Sequence, residues 1–254
     1  MDGYAILASD GRIGTVSDFL FDDESWLVRW LVVDTGNWLS GRKVLLPTTV
    51  LGHLDVPGRE FSVRLTRQQV EDSPDIDTER PVSRQLETNV YDYYGWAPYW
   101  GGGLYMGGGY MGSYGAAGAM ARPRSPDSDS ADHIADARRE DEDPHLRSIN
   151  AVTGYHIRAS DGEIGHVEDF LIEEADWSIH YLVVDTKNWW PAKKVLISPL
   201  LARRIDWNAN LVDLDVDRES VKDSPEYDAA VTVDRAYERR FHDYYGNVRP
   251  GGGT

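Results

Sequence analysis

The chain has 254 residues and a formal net charge of -17, from 26 lysines and arginines against 43 aspartates and glutamates. Its 41% hydrophobic fraction is enough for a packed core, while the lack of cysteine excludes disulfides, thiolate metal ligands and a cysteine nucleophile. A pI near 4.7 makes nucleic acid and anionic lipid surfaces unfavourable partners.

The first seven residues do not resemble a secretion signal. An acid, Asp2, lies where such a signal carries bases, and the apolar run ends before Ser9 and Asp10. We therefore expect a cytoplasmic protein, peripheral to the inner membrane only through a partner.

Hydrophobic and polar residues alternate along the first 65 positions, a pattern typical of half-buried β-strands. The alternation predicts strands at Tyr4–Ala8, Ile13–Phe21, Trp26–Val33, Lys43–Leu46 and Phe61–Leu65. Turn residues rich in Asp, Gly and Asn separate them.

Helices are predicted only after these strands. Thr66 and Gln69 have capping-box spacing, so a short helix should run to Asp72 before Pro74 ends it. A second short helix is predicted at Val82–Val90. Five or six short antiparallel strands without crossover helices predict a mainly β fold, a small closed or nearly closed barrel.

The next segment reads as a linker. From Tyr93 to Ala121 there is no charged residue, but ten of the 29 positions are glycine and Pro98 interrupts the stretch, which argues against a membrane span. Ser, Pro and alternating charges follow. We interpret residues 97–148 as a flexible linker, first Gly/Tyr-rich and then charged.

The chain contains an internal duplication. Residues 3–95 align without a gap onto residues 154–246 at a constant offset of 151, with 38 of 93 pairs identical. Each copy is large enough to fold alone, and we expect it to do so. The predicted organisation is a first barrel at 1–77, a helical and aromatic extension at 78–96, the linker at 97–148, a second barrel at 149–228, and a helical extension with a Gly-rich tail at 229–254.

Four motifs follow one another in the first copy, and the second copy carries the same pattern. They are Asp10-Gly11-Arg12-Ile13-Gly14-Thr15-Val16, Leu31-Val32-Val33-Asp34, Lys43-Val44-Leu45-Leu46-Pro47 and Asp72-Ser73-Pro74. This order resembles the PRC-barrel family, which includes the cytoplasmic domain of the photosynthetic reaction-centre H subunit and the carboxy-terminal domain of a bacterial ribosome maturation factor. The resemblance implies a bacterial protein with two six-stranded antiparallel β-barrels, used for assembly or docking and without a reaction of their own.

Acids lie beside apolar strand residues in both copies, at Asp18 and Asp34 and at Asp169 and Asp185. A proton relay is one interpretation. The other, which we favour, is structural: these carboxylates accept backbone N–H bonds at strand ends or turns.

Two patterns resemble metal sites but have simpler explanations. His156, His166 and His180 are predicted on three neighbouring strands, yet the first copy has no histidine at the matching positions, so exposed strand histidines are favoured over a zinc site. Asp213, Asp215 and Asp217 resemble the start of a calcium loop, but Arg218 replaces the required glycine, and an alternating strand gives the same spacing. Nothing indicates a catalytic residue, metal or cofactor.

One hairpin tip in each copy combines aromatic and basic residues. A tryptophan at a turn exposes apolar area unless it folds back on the barrel or contacts a partner. The tyrosine pairs that end each copy, Tyr93-Tyr94 and Tyr244-Tyr245, are predicted to dock back on the barrel. The predicted partner-binding residues are Trp38, Arg42 and Lys43 in the first copy and Trp189, Trp190, Lys193 and Lys194 in the second.

The favoured function is a non-catalytic tandem scaffold or adaptor that docks protein partners, since linkage of two modules lets weak contacts act together. RNA or ribosome-assembly binding is one alternative, which the net charge opposes. Proton delivery or assembly like that of the H subunit is another. We expect no enzymatic activity. Homo-oligomerisation and pairing between the two repeats both stay open.

Overall fold

A computed structural model describes residues 1–74, 84–94, 145–186, 193–228, 233 and 235–247. Of the predicted linker at 97–148, only residues 145–148 fall within this part of the chain, and residues 248–254 of the Gly-rich tail lie outside it. We call residues 1–94 the first module, 154–247 the second module, and 145–153 the lead-in segment.

The first module forms a six-stranded sheet path in the order β4-β3-β2-β1-β6-β5. A further strand from the lead-in segment, β7, pairs with β2 at Leu20–Asp22 beside this path. The strands are β1 (Ala5–Ala8), β2 (Gly11–Asp22), β3 (Leu27–Asp34), β4 (Lys43–Pro47), β5 (Leu51–Asp55), β6 (Glu60–Val63) and β7 (Leu146–Ser148).

The second module repeats the path in the order β11-β10-β9-β8-β13-β12. Each pair of neighbours corresponds to a pair in the first module, as the gapless repeat predicts. The strands are β8 (His156–Ala159), β9 (Gly162–Ile172), β10 (Ile179–Asp185), β11 (Lys194–Ile197), β12 (Ala202–Asp206) and β13 (Leu211–Leu214).

The prediction of two antiparallel six-stranded barrels is wrong in the direction of one strand pair in each module, and neither sheet closes into a barrel among the described residues. β1 pairs with β6, and β8 with β13, in parallel, so both sheets are mixed. The end strands β4 and β5 follow each other in the chain across one 3-10 turn, Thr48–Val50. Among the described residues β4 and β5 share no ladder, so the hydrogen-bonded path ends at these strands and is not a closed ring.

Short helices follow the strands in each module. The predicted capping box is confirmed, because Gln69 N–H donates to Thr66 Oγ1 while Thr66 N–H donates to the Gln69 side chain. Among the described residues no helix has the length and apolar character to cross a membrane. The helices are α1 (Arg67–Glu71), α2 (Arg84–Tyr94), α3 (Ile149–Val152), α4 (Arg218–Asp223) and α5 (Arg235–Asn247).

The Asp-Gly-x-Ile-Gly motif has a steric explanation. A Cβ on Gly14 would lie 2.2 Å from the carbonyl oxygen of Asp34, and one on Gly165 would lie 1.9 Å from that of Asp185. β2 therefore approaches the end of β3 too closely for any side chain at this position. The motif's aspartate, Asp10, accepts the Arg67 N–H at 2.7 Å and ties the first turn to α1.

Buried residues from both modules form one continuous apolar cluster. It runs from Ile6 and Phe61 of the first module to Ile157 and Val212 of the second. A smaller cluster lies outside the first sheet, where Leu146 of β7 packs with Leu20 and the fully buried Trp30. The sequence predicted two cores, and whether each module folds alone stays a prediction.

Candidate functional site

The two modules meet at the tips of equivalent hairpins. Val28 N–H donates to the carbonyl of Trp177 at 2.9 Å, and Ile179 N–H donates to the carbonyl of Trp26 at 2.8 Å. Val28 and Ile179 are counterparts in the repeat, as are the two tryptophans. Each module thus gives the other the same bond, which is the signature of an isologous interface with a pseudo-two-fold axis. The bridge between Leu27 and Ser178, also counterparts, lies at its centre.

The junction combines two residues of strained backbone with aromatic rings that pack across it. Trp26 and Trp177 have left-handed backbone, with φ of 55° and 62°, a conformation that non-glycine residues adopt only at a cost. The Trp177 ring reaches the first module, with its centroid 6.3 Å from that of Phe19 and 6.1 Å from that of Phe61. Phe21 contacts Phe170 across the junction at 6.1 Å. The tips therefore position side chains of one module in the core of the other.

The lead-in segment docks on β2 of the first module. Asp18 accepts the Ser148 hydroxyl at 2.5 Å and the Asn150 N–H at 3.2 Å, and the Asn150 amide donates to the carbonyl of Ser17 at 2.9 Å. Burial raises the pKa of the Asp18 carboxyl, while the bonds from Ser148, Asn150 and Phe19 lower it in part. Asp18 is thus an acceptor that joins two parts of the chain.

A second acid of β2's hairpin, Asp23, binds the start of the same segment. One Asp23 oxygen lies 3.0 Å from His145 Nδ1, and the other accepts a bond from Arg147 Nε at 2.9 Å. The Arg147 guanidinium also lies 4.4 Å above the ring of Trp207 in the second module. The lead-in segment is therefore bound through charge, hydroxyl and apolar contacts together.

A cleft of about 340 Å³ opens at this junction. On its wall, Arg147 and His145 both contact Asp23, so the charge of Arg147 is already balanced by an acid. Arg204 is likewise paired, with Asp206 at 2.5 Å. The cleft is lined by Asp23, Glu24, Trp26, His145, Arg147, Ala202, Arg203, Arg204, Ile205 and Trp207.

Of the four predicted strand-end acids, Asp34 and Asp185 end β3 and β10, whereas Asp18 and Asp169 lie within β2 and β9. Asp34 accepts the Gly36 N–H at 2.8 Å, and Asp169 accepts the Phe170 N–H at the same distance. Asp18 makes the equivalent bond to Phe19 in addition to its contacts with the lead-in segment. Asp185 is only 3% exposed at the end of β10. The structure does not bring these four acids together as a relay.

The predicted basic residues are engaged in contacts within their own module. Arg42 donates to the carbonyl of Glu71 at 2.8 Å and also to that of Ser73. Its counterpart Lys193 donates to the carbonyls of Lys222 and Ser224, the repeat positions of the same two acceptors. These cations satisfy carbonyls at the carboxyl ends of α1 and α4.

Lys43 and Lys194, the other basic residues predicted to bind a partner, begin β4 and β11. Lys194 pairs with Glu168 at 2.7 Å, and Lys43 acts electrostatically on Asp18. Burial lowers the pKa of the neighbouring Lys193. The structure therefore gives these side chains structural contacts, and their predicted role in partner binding stays a prediction.

The predicted aromatic tip is described for the first module only. Trp38 is half-buried, packs against the apolar cluster, and carries the Arg67 guanidinium 4.5 Å above its ring. It thus combines contact with the core and a partly exposed face. Trp189 and Trp190 lie outside the described residues.

The metal-like patterns have structural explanations in the described part of the chain, which contains no group of three metal-ligating side chains. His156 pairs with His166 across β8 and β9, while His180 lies 3.9 Å from Glu238 on α5. Leu214 and Val216 are buried on the alternating strand predicted there.

The acids of that strand are also engaged. Asp213 pairs with Arg158 at 2.7 Å, and Asp217 caps α4 by accepting the Ser220 N–H at 2.8 Å.

The docking of the terminal tyrosines is confirmed. The hydroxyls of Tyr93 and Tyr94 donate to the carbonyl of Gln69, at 3.1 and 3.3 Å, and that of Tyr244 donates to Ser220, the counterpart of Gln69, at 2.6 Å. Burial raises the pKa of Tyr94 to about 12.

Comparison with known proteins agrees with this fold. Residues 2–69 match the family model of the PRC-barrel domain. A Deinococcus radiodurans protein described as uncharacterized is 35% identical over 75 residues, which cover 30% of this chain and 27% of the relative. The resemblance to the PRC-barrel family is thereby confirmed for residues 2–69 of the first module. The second module repeats its sheet order and carries the duplicated sequence.

Sequence reasoning missed the junction itself. Trp26 was predicted to begin a strand, but it lies in the turn, and β3 begins at Leu27. A signal was present, because Trp26 and Trp177 are identical across the repeat within a turn whose other residues differ. The roles of Ser148 and Asn150 had no such signal, since the lead-in segment lies outside the aligned repeat, which begins at residue 154 in the second copy.

Proposed function

We propose that the chain is a non-catalytic scaffold or adaptor whose two barrel-like modules dock protein partners as one body. The observation that carries this proposal is the reciprocal junction, in which each module donates the same backbone bond to the other and aromatic side chains cross between the cores. An interface of this kind fixes the relative orientation of two docking surfaces, so that a partner meets both at once.

The chemistry of the polar residues supports the same proposal. Asp18, Arg42 and Lys193 are engaged with backbone groups or with the lead-in segment, which is what a structural role requires. A catalytic group instead needs a position within reach of a substrate. The half-buried Trp38 tip remains the aromatic surface through which we propose that a partner binds.

RNA binding remains an alternative because of the junction cleft. Arg147, Arg203 and Arg204 lie there beside Trp26 and Trp207, a combination of basic and aromatic side chains that suits single-stranded nucleic acid. Asp23 and the net charge of -17 oppose it.

The experiment is affinity capture with the full chain from extracts of its native cell, with chemical cross-linking and mass spectrometry. We expect a protein partner that is retained after nuclease treatment and above about 100 mM salt, where exposed charge contacts are screened. Replacing Trp38 and Trp189 with alanine should weaken its capture, whereas replacing Lys43 and Lys194 should have less effect. Thermal melting of each variant shows that it is folded. Retention of RNA that falls steeply with salt, with loss of the protein after nuclease, would contradict the proposal.

A further inference from the structure

The second module has a groove where the first module binds the lead-in segment. In the first module, Leu20–Asp22 of β2 pair with β7, and Leu146 packs against Leu20 and Trp30. The counterpart of Leu20–Asp22 is residues 171–173 at the end of β9. Here a groove of about 320 Å³ lies along the strand. It is lined by Met1, Phe170, Leu171, Ile172, Glu173, His180, Tyr181, Tyr227, Val233 and Glu238, and we call it the β9 groove.

Burial shows what the groove lacks relative to its counterpart. In the first module Leu20 is 8% exposed and Phe21 is fully buried, whereas Leu171 and Ile172 at the matching positions are half-buried. Among the described residues, β9 pairs with β8 and β10 and no strand lies along its free edge at 171–173. Unpaired backbone groups at a strand edge are a template for a further strand.

The two acids that bind the lead-in segment have exposed acids at the matching positions of the second module. Asp18 is half-buried and accepts bonds from Ser148 and Asn150, while its counterpart Asp169 is exposed. Asp23 binds His145 and Arg147, and its counterpart, Glu174, is exposed as well.

Further acids border the β9 groove. Glu173 and Glu238 line it, and Glu238 lies 3.9 Å from His180. The charge around the groove therefore favours a basic occupant.

We infer that the β9 groove binds an extended, basic segment of a partner protein by β-strand addition, with the chemistry that the first module shows for residues 145–148. The segment runs antiparallel to β9. A leucine-like side chain lies opposite Glu173, a basic residue opposite Ile172 and near Glu174, and a hydroxyl residue opposite Leu171 and near Asp169. This inference rests on the proposed scaffold function and gives it a recognition motif, basic-apolar-basic-hydroxyl.

The probe is a fluorescent synthetic peptide with the sequence of residues 143–152, titrated with the full chain and followed by anisotropy. We expect saturable binding of one peptide per chain. Glu174→Lys should weaken it at least about tenfold, because a charge pair is replaced by repulsion beside the docked segment. Leu171→Asp should abolish it. The matched control is Glu163→Lys, the same change at an exposed position on the other end of β9, and it should bind as the wild type does. A peptide with alanine in place of Leu146 should also bind at least about tenfold more weakly.

Three outcomes overturn the inference. The first is absence of peptide binding. The second is binding that Glu174→Lys and Leu171→Asp leave unchanged, which would place the peptide on β2 by displacement of the chain's own segment. The third is concentration-dependent dimerisation of the chain, measured by sedimentation without peptide and lost in Glu174→Lys, which would make a second copy the occupant.

The same variants separate this inference from the scaffold proposal. If Glu174→Lys still captures the partner from extract and the peptide does not bind, the scaffold proposal is supported and the inference about the β9 groove is refuted. If the peptide binds as expected but no protein is captured, the scaffold proposal falls.

Discussion

Replacing Trp177 with alanine should destabilise both modules, because its ring packs in the first module while its backbone belongs to the second. Truncating a fully buried Trp costs about 3–5 kcal/mol, and Trp177 is half-buried, which reduces the expected cost to about 2–3 kcal/mol. Ring centroids 6.3 and 6.1 Å from Phe19 and Phe61 lie toward the far end of favourable aromatic geometry and add little. For a chain of this size the change lowers Tm by about 4–12 °C.

The backbone at this position supplies an internal control. With φ of 62°, Trp177 has a conformation that costs an alanine about 1 kcal/mol or more but a glycine almost nothing. Trp177→Gly should therefore be about 1 kcal/mol more stable than Trp177→Ala, although it removes one more carbon. The junction bonds that Val28 N–H donates to Trp177 and Ile179 N–H donates to Trp26 use backbone groups and are kept in both variants.

Differential scanning calorimetry is the assay, since nine tryptophans make fluorescence hard to assign. We expect one cooperative transition for the wild type and for Trp38→Ala, a half-buried tryptophan away from the junction. In Trp177→Ala the modules should separate into two transitions, because coupling through the shared core is reduced. An unchanged Tm, or a glycine variant less stable than the alanine variant, would refute the reasoning.

Two further predictions each compare a variant with a matched control elsewhere in the chain. Asp18→Ala should cost about 1–3 kcal/mol in urea denaturation, whereas Asp169→Ala, which loses the bond from Phe170 N–H, should cost about 0.5–1.5 kcal/mol. Equal costs at Asp18 and Asp169 would contradict the role given to the lead-in segment. Since the folded pKa of Asp18 is raised above its ordinary value of 3.8, the stability linked to its protonation is present below that pH and is lost as the pH rises through the folded pKa. Asp18→Ala should therefore reduce the dependence of the free energy of unfolding on pH in this range. Gly14→Ala should prevent folding or lower Tm by more than 10 °C, as judged by circular dichroism, because its Cβ would overlap the Asp34 carbonyl. The control is Gly36→Ala, with φ of 55° and open space around it, which should cost only about 1 kcal/mol. Similar losses of stability in the two variants would refute the steric explanation.

Local sequence signals predicted much of each module. Period-two alternation located β2, β3 and β4 within a few residues, and the capping box located the start of α1. β5 was missed because Gly52 and His53 interrupt its apolar alternation between Leu51 and Leu54. The parallel pairing of β1 with β6 was missed for a different reason: it joins distant segments without a hairpin, and so depends on the whole sheet.

The candidate site was less predictable because it depends on contacts between modules. Leu146, Arg147 and Ser148 form a strand only because β2 offers them an edge, and nothing in three residues within a charged stretch indicates that. Arg42 looked like a partner-binding cation in the sequence, but the carbonyls it satisfies lie 29 and 31 positions away. The hydrogen-bond partners of such polar side chains therefore depend on tertiary structure and cannot be identified from the local sequence.

The duplication produces symmetry at the junction and asymmetry around it. Trp26 and Trp177 accept the same reciprocal backbone bonds, so the hydrogen bonds of the junction are equal for the two modules. The lead-in segment breaks this equality, because the chain supplies one such segment between the copies and it covers the edge of β2. That docking is intramolecular and gains from the high effective concentration of a tethered segment. The matching edge of β9 has no tethered segment among the described residues, and a partner that binds there must supply its own affinity. A side chain that fills the pocket beside Leu171 and Tyr181, as Leu146 does beside Leu20 and Trp30, is the most direct source of that affinity.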